Sequence, residues 1–305
     1  METRDGDREL LGPCIVAAGP LVDGPEPTFP DLSIAVADEA EGRRAVVMLK
    51  RRGADFVKVY SLLPRAAYFA IADEAKQQGI PFAGHVPDSV NAGEASDAGQ
   101  KSIEHLSGIL LACSTREAEL RDALLEARAK SDAASLLRAL HDIQTIGKQT
   151  YSDDKAEKLF SRFAQNQTWQ VPTLTTARGP NAFNLVAAMR RAGVRFMAGT
   201  DAPNPWAYPG VSLHEELNLL VRAGLTPMEA LQTATINPAI YLGLQDSLGT
   251  VEKGKVADLV LLEANPLEDI SNTRKISGVV IRGKLIGKQG LREMSAQAEY
   301  AGDSR

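Results

Sequence analysis

One local pattern occurs four times along the chain: a glycine, then a short apolar run, then a polar side chain at the end of the run. The four units span residues 53–58, 79–85, 99–105 and 193–201. A glycine just after a helix adopts the left-handed conformation that ends the helix. The apolar runs are typical of buried parallel strands covered by helices. Strands that alternate with helices predict an α/β fold with a parallel sheet, either doubly wound or closed into a barrel.

The spacing of the units sets the number of strands. Lys58 and His85 are 27 residues apart, and His85 and His105 are 20 apart, which in each case fits one strand and one helix. Further apolar runs at 14–18 and 169–174 predict two more strands. We therefore expect six strands, which end near residues 18, 60, 85, 105, 174 and 201.

The rest of the chain divides by composition. Residues 11–247 are predicted to form the barrel-like part, with a helical insertion at about 114–167 that covers the site. Residues 248–290 contain two hairpin patterns, around 253–255 and 282–284, and are predicted to form a small β-rich segment. The polar residues 291–305 are expected to be a disordered tail. Two capping boxes, Asn91 with Glu94 and Thr226 with Glu229, predict helix starts.

Composition excludes several classes of protein. The net charge of −5 is spread along the chain without the basic cluster that nucleic-acid binding leaves. No run of about 18 apolar residues predicts a membrane span. The chain has two cysteines, and its charged first ten residues lack the apolar core of a signal peptide. These features predict a cytoplasmic protein with a small-molecule substrate.

The polar residues that end the four units carry the functional hypothesis. They are Lys58, His85, His105 and Asp201. Side chains at the carboxyl ends of parallel strands meet at one face of the fold. Each residue alone is more simply explained by packing or by a surface role. Together they match the ligands of a divalent metal, provided that the lysine amine has added carbon dioxide to become a carbamate.

The same runs resemble a known family. They are Asp-Phe-Val-Lys-Val-Tyr at 55–60, Phe-Ala-Gly-His at 82–85, Ser-Ile-Glu-His at 102–105, Gly-Thr-Asp at 199–201 and Gly-Lys-Val-Ala-Asp-Leu-Val at 254–260. They are similar to the imidazolonepropionase-like and prolidase-like branch of the amidohydrolase superfamily. The resemblance implies a (β/α)8 TIM-like barrel and a small β-sandwich built from both chain ends.

The resemblance also implies roles for the four residues. Lys58 would be carboxylated and bridge two metals, usually zinc, while His85 and His105 hold the exposed metal and Asp201 the buried one. The family's His-x-His on the first strand has no counterpart, because histidine occurs only at 85, 105, 141 and 214. The chain is therefore expected to contain strands three to eight of an incomplete barrel, with one or two metal ions. Exposed barrel edges predict a homo-oligomer.

The resulting hypothesis is a metal-dependent hydrolase that cleaves an amide bond (peptide-like or N-acyl amino acid) or an ester or lactone. Asp201 would act as general base and then acid, and His105 would help to stabilise the oxyanion. Tyr60 shares the inward face of its strand with Lys58 and is expected to contact substrate. The missing His-x-His leaves an alternative: a catalytically silent barrel that acts as a binding or assembly protein.

Overall fold

The structure, a computed structural model, describes residues 14–130, 132–176 and 179–302, with the backbone alone from 297 onwards. The strands are β1 (Leu21–Asp23), β2 (Ser33–Ala35), β3 (Val57–Val59), β4 (Phe82–Gly84), β5 (Ser102–Glu104), β6 (Trp169–Val171), β7 (Leu259–Leu262), β8 (Ile276–Ile281) and β9 (Lys284–Gly287). The helices are α1 (Glu39–Arg51), α2 (Arg65–Gln78), α3 (Ala92–Asp97), α4 (Ile109–Ala112), α5 (Glu117–Ala129), α6 (Ala133–Gln149), α7 (Asp153–Gln165), α8 (Pro180–Arg191), α9 (Ser212–Arg222), α10 (Pro227–Thr233), α11 (Ile236–Leu242) and α12 (Lys288–Gly302).

The first six strands form one parallel sheet in the order β2-β1-β3-β4-β5-β6. Helices connect most of them, as in β3-α2-β4-α3-β5. Beyond β6 the ladder continues through a single parallel bridge between Gln170 and Phe196. The arrangement confirms the α/β prediction and fits part of a TIM-like barrel.

The glycines that open the four repeated units adopt the predicted conformation. Gly53, Gly79, Gly99 and Gly193 have φ angles of +84°, +63°, +88° and +77°, and Gly79 is the left-handed C-cap of α2. Both capping boxes are also confirmed, at the starts of α3 and α10. Local sequence signals therefore determine where these helices begin and end.

Two strand predictions are wrong in detail. Residues 14–18 are not a strand, because Ala17 exchanges hydrogen bonds with Asp55 before β3, and the first strand lies further on at β1. Near Asp201 the expected strand is reduced to the bridge at Phe196, because the chain turns so that the Ala198 N–H donates to the Thr233 carbonyl. The sheet still has six strands because β2, which was not predicted, pairs with β1.

The core lies between the sheet and the helices that cover it. Val57 and Val59 of β3 and Ile103 of β5 are fully buried in it. Lys58, between the two valines, points to the opposite face of the sheet, because successive side chains of a strand alternate. In the core, the Tyr68 hydroxyl donates a hydrogen bond of 2.7 Å to Oε1 of Gln100, so the polar groups of both are satisfied.

Residues 114–167 contain the predicted helices, α5 to α7. Arg121 of α5 donates hydrogen bonds to the carbonyls of Asp88 and Val90, in the segment after β4. Arg128, also of α5, forms an ion pair with the Asp88 carboxylate at 3.0 Å. These contacts place α5 beside the carboxyl end of the sheet, where the insertion was expected.

The C-terminal part forms an antiparallel sheet in the order β7-β8-β9. The strand pair around Arg282 is confirmed as β8 and β9, but β7 pairs with β8 rather than with residues 249–252. The segment expected to be a disordered tail, 291–305, overlaps α12 as far as Gly302; residues 303–305 lie outside the described residues. The division into domains stays a prediction.

None of the described helices combines the length and the apolar character needed to cross a bilayer.

Gly84 provides a test of how closely β3 and β4 approach. A Cβ at Gly84 would lie 2.3 Å from the Val59 carbonyl oxygen, and its φ is +128°. We expect Gly84→Ala to lower the free energy of unfolding by about 3 kcal/mol, from strain and overpacking together. Gly99→Ala is the matched control, since its φ is +88° but nothing lies within 4 Å, and it should cost only about 1 kcal/mol. Equal losses in urea denaturation would contradict this account.

Candidate active site

The structure brings the four predicted residues to one end of the sheet. Lys58 lies on β3, His85 and His105 directly follow β4 and β5, and Asp201 lies beyond the bridge at Phe196. The backbone ladder continues into the site: the His85 N–H donates to the Val59 carbonyl, and the His105 N–H donates to the Val171 carbonyl. The two histidines are therefore held at the level of the sheet.

The two imidazoles are in direct contact. The rings of His85 and His105 meet edge to face, with their centroids 4.9 Å apart and their planes at 78°. Nε2 of His105 lies 3.9 Å from Oδ1 of Asp201. Three of the four predicted residues thus form one cluster, and the fourth, Lys58, is close enough to influence both imidazoles electrostatically.

His85 is held on two sides. Its Nδ1 lies 2.8 Å from the Ser61 hydroxyl, and its ring stacks on Tyr60 with the centroids 4.0 Å apart. Its Nε2 is buried and has no hydrogen-bond partner. Burial, followed by the charges of His105 and Lys58, lowers the pKa of His85 to about 3. The ring is therefore neutral at physiological pH.

His105 is held by Thr173, 2.7 Å from its Nδ1. The Thr173 hydroxyl also donates to the Pro172 carbonyl at 2.8 Å. A hydroxyl has one proton, so when that proton is on the Pro172 carbonyl, Nδ1 of His105 is the donor to Thr173. Nε2 then carries a lone pair, directed towards the site. Burial lowers the pKa of His105, against the opposing effects of Asp201 and Glu104.

Lys58 has an unforeseen partner. Its Nζ lies 2.7 Å from Oε2 of Glu104, and both side chains are largely buried. The contact is an ion pair without the alignment of a hydrogen bond. Glu104 shares a face of β5 with Ser102, two residues earlier, and that face is turned towards Lys58.

Asp201 is the most accessible of the four, with 49% of its side chain exposed. Its φ is +57°, and His105 and Thr173 also have positive φ, at +59° and +48°. Such strained backbone conformations are found preferentially at functional sites. The carbonyl of Asp201 accepts a hydrogen bond of 2.7 Å from the Asn204 amide.

Tyr60 lies where the inward face of β3 predicts. Besides stacking on His85, it meets the half-exposed Phe29 edge to face, with the centroids 5.8 Å apart. Burial, together with Asp201 and then other carboxylates, raises the pKa of Tyr60. Its phenol is therefore protonated and can donate a hydrogen bond.

The other two histidines do not join the cluster. His214 lies on α9, where its Nδ1 is 3.0 Å from the Thr273 hydroxyl. His141 is exposed on α6.

The residues fit a divalent metal in part. Each clustered imidazole is held at Nδ1, which is how metal-binding histidines are usually oriented, and Nε2 of His85 is an orphaned buried atom. Lys58, as an ammonium beside Glu104, is not a ligand in this form. Within 14–130, 132–176 and 179–302, no three side chains of His, Cys, Asp or Glu are placed to hold a metal ion. Two nitrogen donors, one from each imidazole, are thus in position to bind a metal ion.

Three functional neighbours were missed by sequence reasoning. Glu104 directly precedes His105 and ends β5, so its position in the run was a usable signal. Ser61 and Thr173 follow their strands by two residues, in loops where a hydroxyl is commonplace. Nothing in the sequence marks them out.

The depressed pKa of His85 predicts a dependence of stability on pH. Between pH 6.5, where the unfolded side chain takes up a proton, and about pH 3, the folded side chain stays neutral. The unfolded state therefore binds more protons, and stability falls as the pH falls. We expect the metal-free protein to lose about 3 kcal/mol between pH 7 and pH 4 through this group. His85→Asn should flatten the dependence, and His141→Asn should not. An unchanged slope in His85→Asn, measured by denaturant unfolding, would refute the assignment.

Comparison with known proteins gives a family match over most of the chain, residues 8–286, to the amidohydrolase family. The ochratoxinase of Aspergillus niger is 27% identical over 278 residues, which cover 85% of this chain and 52% of the relative. The imidazolonepropionase of Pseudomonas putida is 41% identical over 85 residues, 28% of this chain and 21% of the relative.

Among solved structures, a putative prolidase from Bifidobacterium longum is similar, with a TM-score of 0.64 and 24% identity. The likeness covers 91% of this chain and 67% of that one, and it shows a shared fold. This chain spans about half the length of the ochratoxinase that it matches. The chain belongs to the amidohydrolase family.

Proposed function

We propose that this protein is a metal-dependent hydrolase that cleaves an amide or ester bond. The observation that carries the proposal is the pair of neutral imidazoles, His85 and His105, which meet at 4.9 Å beside Asp201. A neutral imidazole can bind a cation, whereas a protonated one cannot. The family match supports the reaction class, and the named relatives, an ochratoxinase and a prolidase, support an amide substrate.

His85 and His105 would hold the cation through Nε2, and Asp201 or a carboxylated Lys58 would complete its ligands. Imidazole and carboxylate donors suit zinc. A bound divalent cation supplies a Lewis acid that polarises the scissile carbonyl and makes water more acidic. One or two ions are compatible with this set of residues.

Asp201 is the residue best placed to move protons. Its carboxylate is half exposed and faces Nε2 of His105 at 3.9 Å, so both water and substrate can reach it. It would accept the proton of the attacking water and deliver it to the leaving amine or alcohol. The charge developing on the carbonyl oxygen would be stabilised on the side of His105.

The substrate would enter beside Tyr60. A cavity of about 380 Å³ is lined by the turns after β1, β3 and β4 and by α5. Ser61, which holds His85, is part of its wall. A peptide-like molecule, an N-acyl amino acid or a lactone is small enough for such a space. The phenol of Tyr60 would donate a hydrogen bond to the substrate.

A silent barrel remains the second candidate, because the Lys58–Glu104 ion pair takes up two charged groups that a metal site could use. Metal content separates the two functions. Purified protein supplemented with zinc should retain about one ion per chain if the hydrolase proposal holds. Less than about 0.1 ion per chain would favour a binding or assembly role. Self-association also stays a prediction, and sedimentation would test it.

The general-base role predicts a large catalytic loss from a small change. Asp201→Asn should lower kcat by about 10² to 10⁴-fold on a panel of N-acyl amino acids, dipeptides and lactones. Asparagine tolerates the φ of +57°, so the unfolding temperature should not change. Asp246→Asn, at an exposed aspartate, is the control and should keep full activity. A rate for Asp201→Asn within twofold of the unmodified chain would exclude the role.

The lysine modification can be tested separately. A carbamate on Lys58 would place two negative charges side by side at Glu104 unless a cation lay between them. With ¹³C-bicarbonate, we therefore expect a carbamate NMR signal in zinc-loaded protein and none in metal-free protein. Glu104→Gln should allow the signal without zinc, and Lys58→Arg should abolish it. A carbamate signal of equal intensity with and without zinc in the unmodified chain would contradict this expectation.

A further inference from the structure

The Ser61 hydroxyl, which holds Nδ1 of His85, is here called the clamp on His85. A buried carboxylate lies behind this clamp. Asp23, at the end of β1, is fully buried. Its Oδ1 accepts a hydrogen bond of 2.7 Å from the Leu62 N–H, and its Oδ2 accepts one of 2.9 Å from the Thr28 N–H. Leu62 is adjacent to Ser61, whose hydroxyl holds Nδ1 of His85. Asp23 therefore fixes the backbone that carries the clamp.

A second buried carboxylate lies behind the Thr173 hydroxyl, which is the clamp on His105. Glu216, on α9, is fully buried. Its Oε1 accepts a hydrogen bond of 2.9 Å from the Leu174 N–H, and its Oε2 accepts one of 2.8 Å from the Thr175 N–H. These two residues follow Thr173, which holds Nδ1 of His105.

Through Thr175, the same carboxylate is also connected to the Asp201 side of the site. The Thr175 hydroxyl lies 3.4 Å from the Thr200 carbonyl oxygen, one residue before Asp201. The turn that Glu216 anchors therefore touches both His105 and the segment of the proposed general base.

These carboxylates are costly to bury. An ionised carboxyl group away from water loses several kcal/mol of solvation unless hydrogen bonds replace it. Burial raises the pKa of Glu216 to about 7, even though two backbone N–H groups act in the opposite direction. Both bonds to Glu216 come from the turn that carries Thr173, and one of the two bonds to Asp23 comes from the turn that carries Ser61.

We propose that Asp23 and Glu216 are positioning residues, which hold Ser61 and Thr173 so that both imidazoles are protonated at Nδ1 and present an unprotonated Nε2 to the site. For His105 this tautomer allows the Thr173 hydroxyl to donate its one proton to the Pro172 carbonyl while it accepts from Nδ1. For His85 it avoids a buried N–H without a partner, since Nε2 has none. The use of the two lone pairs rests on the proposed function, whereas the tautomers do not.

The test reads the tautomers directly in metal-free protein. Long-range ¹H–¹⁵N correlation of labelled histidine distinguishes Nδ1–H from Nε2–H, and only four histidines need to be assigned. We expect Nδ1–H for both His85 and His105. Asp23→Asn should convert His85 to a mixture of tautomers, and Glu216→Gln should do so for His105, because an amide keeps one acceptor and places an NH₂ against the other N–H.

The control is a carboxylate with the same kind of hydrogen bonds at a position away from the site. Asp132 also accepts hydrogen bonds from two backbone N–H groups, those of Ala134 and Ser135, but at the exposed start of α6. Asp132→Asn should leave the tautomers of His85 and His105 unchanged. If Asp23→Asn or Glu216→Gln fails to fold, Ser61→Ala and Thr173→Val remove the clamps themselves and must produce the same mixtures.

A second readout is the affinity for Zn²⁺. Loss of a residue that orients a ligand should weaken binding about 10 to 100-fold, with Asp132→Asn unchanged. Unaltered tautomers in folded Asp23→Asn and Glu216→Gln, or in the clamp variants, would overturn the proposal. Altered tautomers in a protein that hydrolyses nothing would reject the function and leave the positioning role intact.

Discussion

The parallel register of β3, β4 and β5 determines the site. These strands are three residues long, so the hydrogen bonds just beyond them matter as much as the ladder itself. The bonds from His85 to Val59 and from His105 to Val171 extend the register to the histidines. Because all the strands run in one direction, their ends meet at one edge, where Lys58 also points inward. A slip of one residue would turn these side chains into the core.

Electrostatics then decides what the assembled groups can do. Burial keeps both imidazoles neutral, while Lys58 and Glu104 offset each other's charge at 2.7 Å. Asp201, which is more exposed, remains open to water and substrate. The cluster thus combines two neutral nitrogen donors, a buried ion pair and an accessible carboxylate, which is a suitable set for moving a proton beside a bound cation.

The sequence predicts the polar side chains on or just after the strands of the site, and it misses the residues that support them. Lys58, His85 and His105 could be found because a glycine and an apolar run precede each of them, and both signals are local. Asp23 lies 39 residues from Leu62 and Glu216 lies 42 residues from Leu174, so only tertiary structure connects these two carboxylates to the turns of the site. The prediction of a strand at residues 14–18 was wrong for a related reason. Ile15 and Val16 have the local composition of a strand, but they remain exposed.

Anomalous diffraction at the zinc edge, from zinc-soaked crystals, would show whether His85 and His105 bind one cation together. We expect one strong peak about 2.0–2.1 Å from Nε2 of both histidines. A chain with no peak at this position, or with zinc bound only at surface carboxylates, would contradict the proposal.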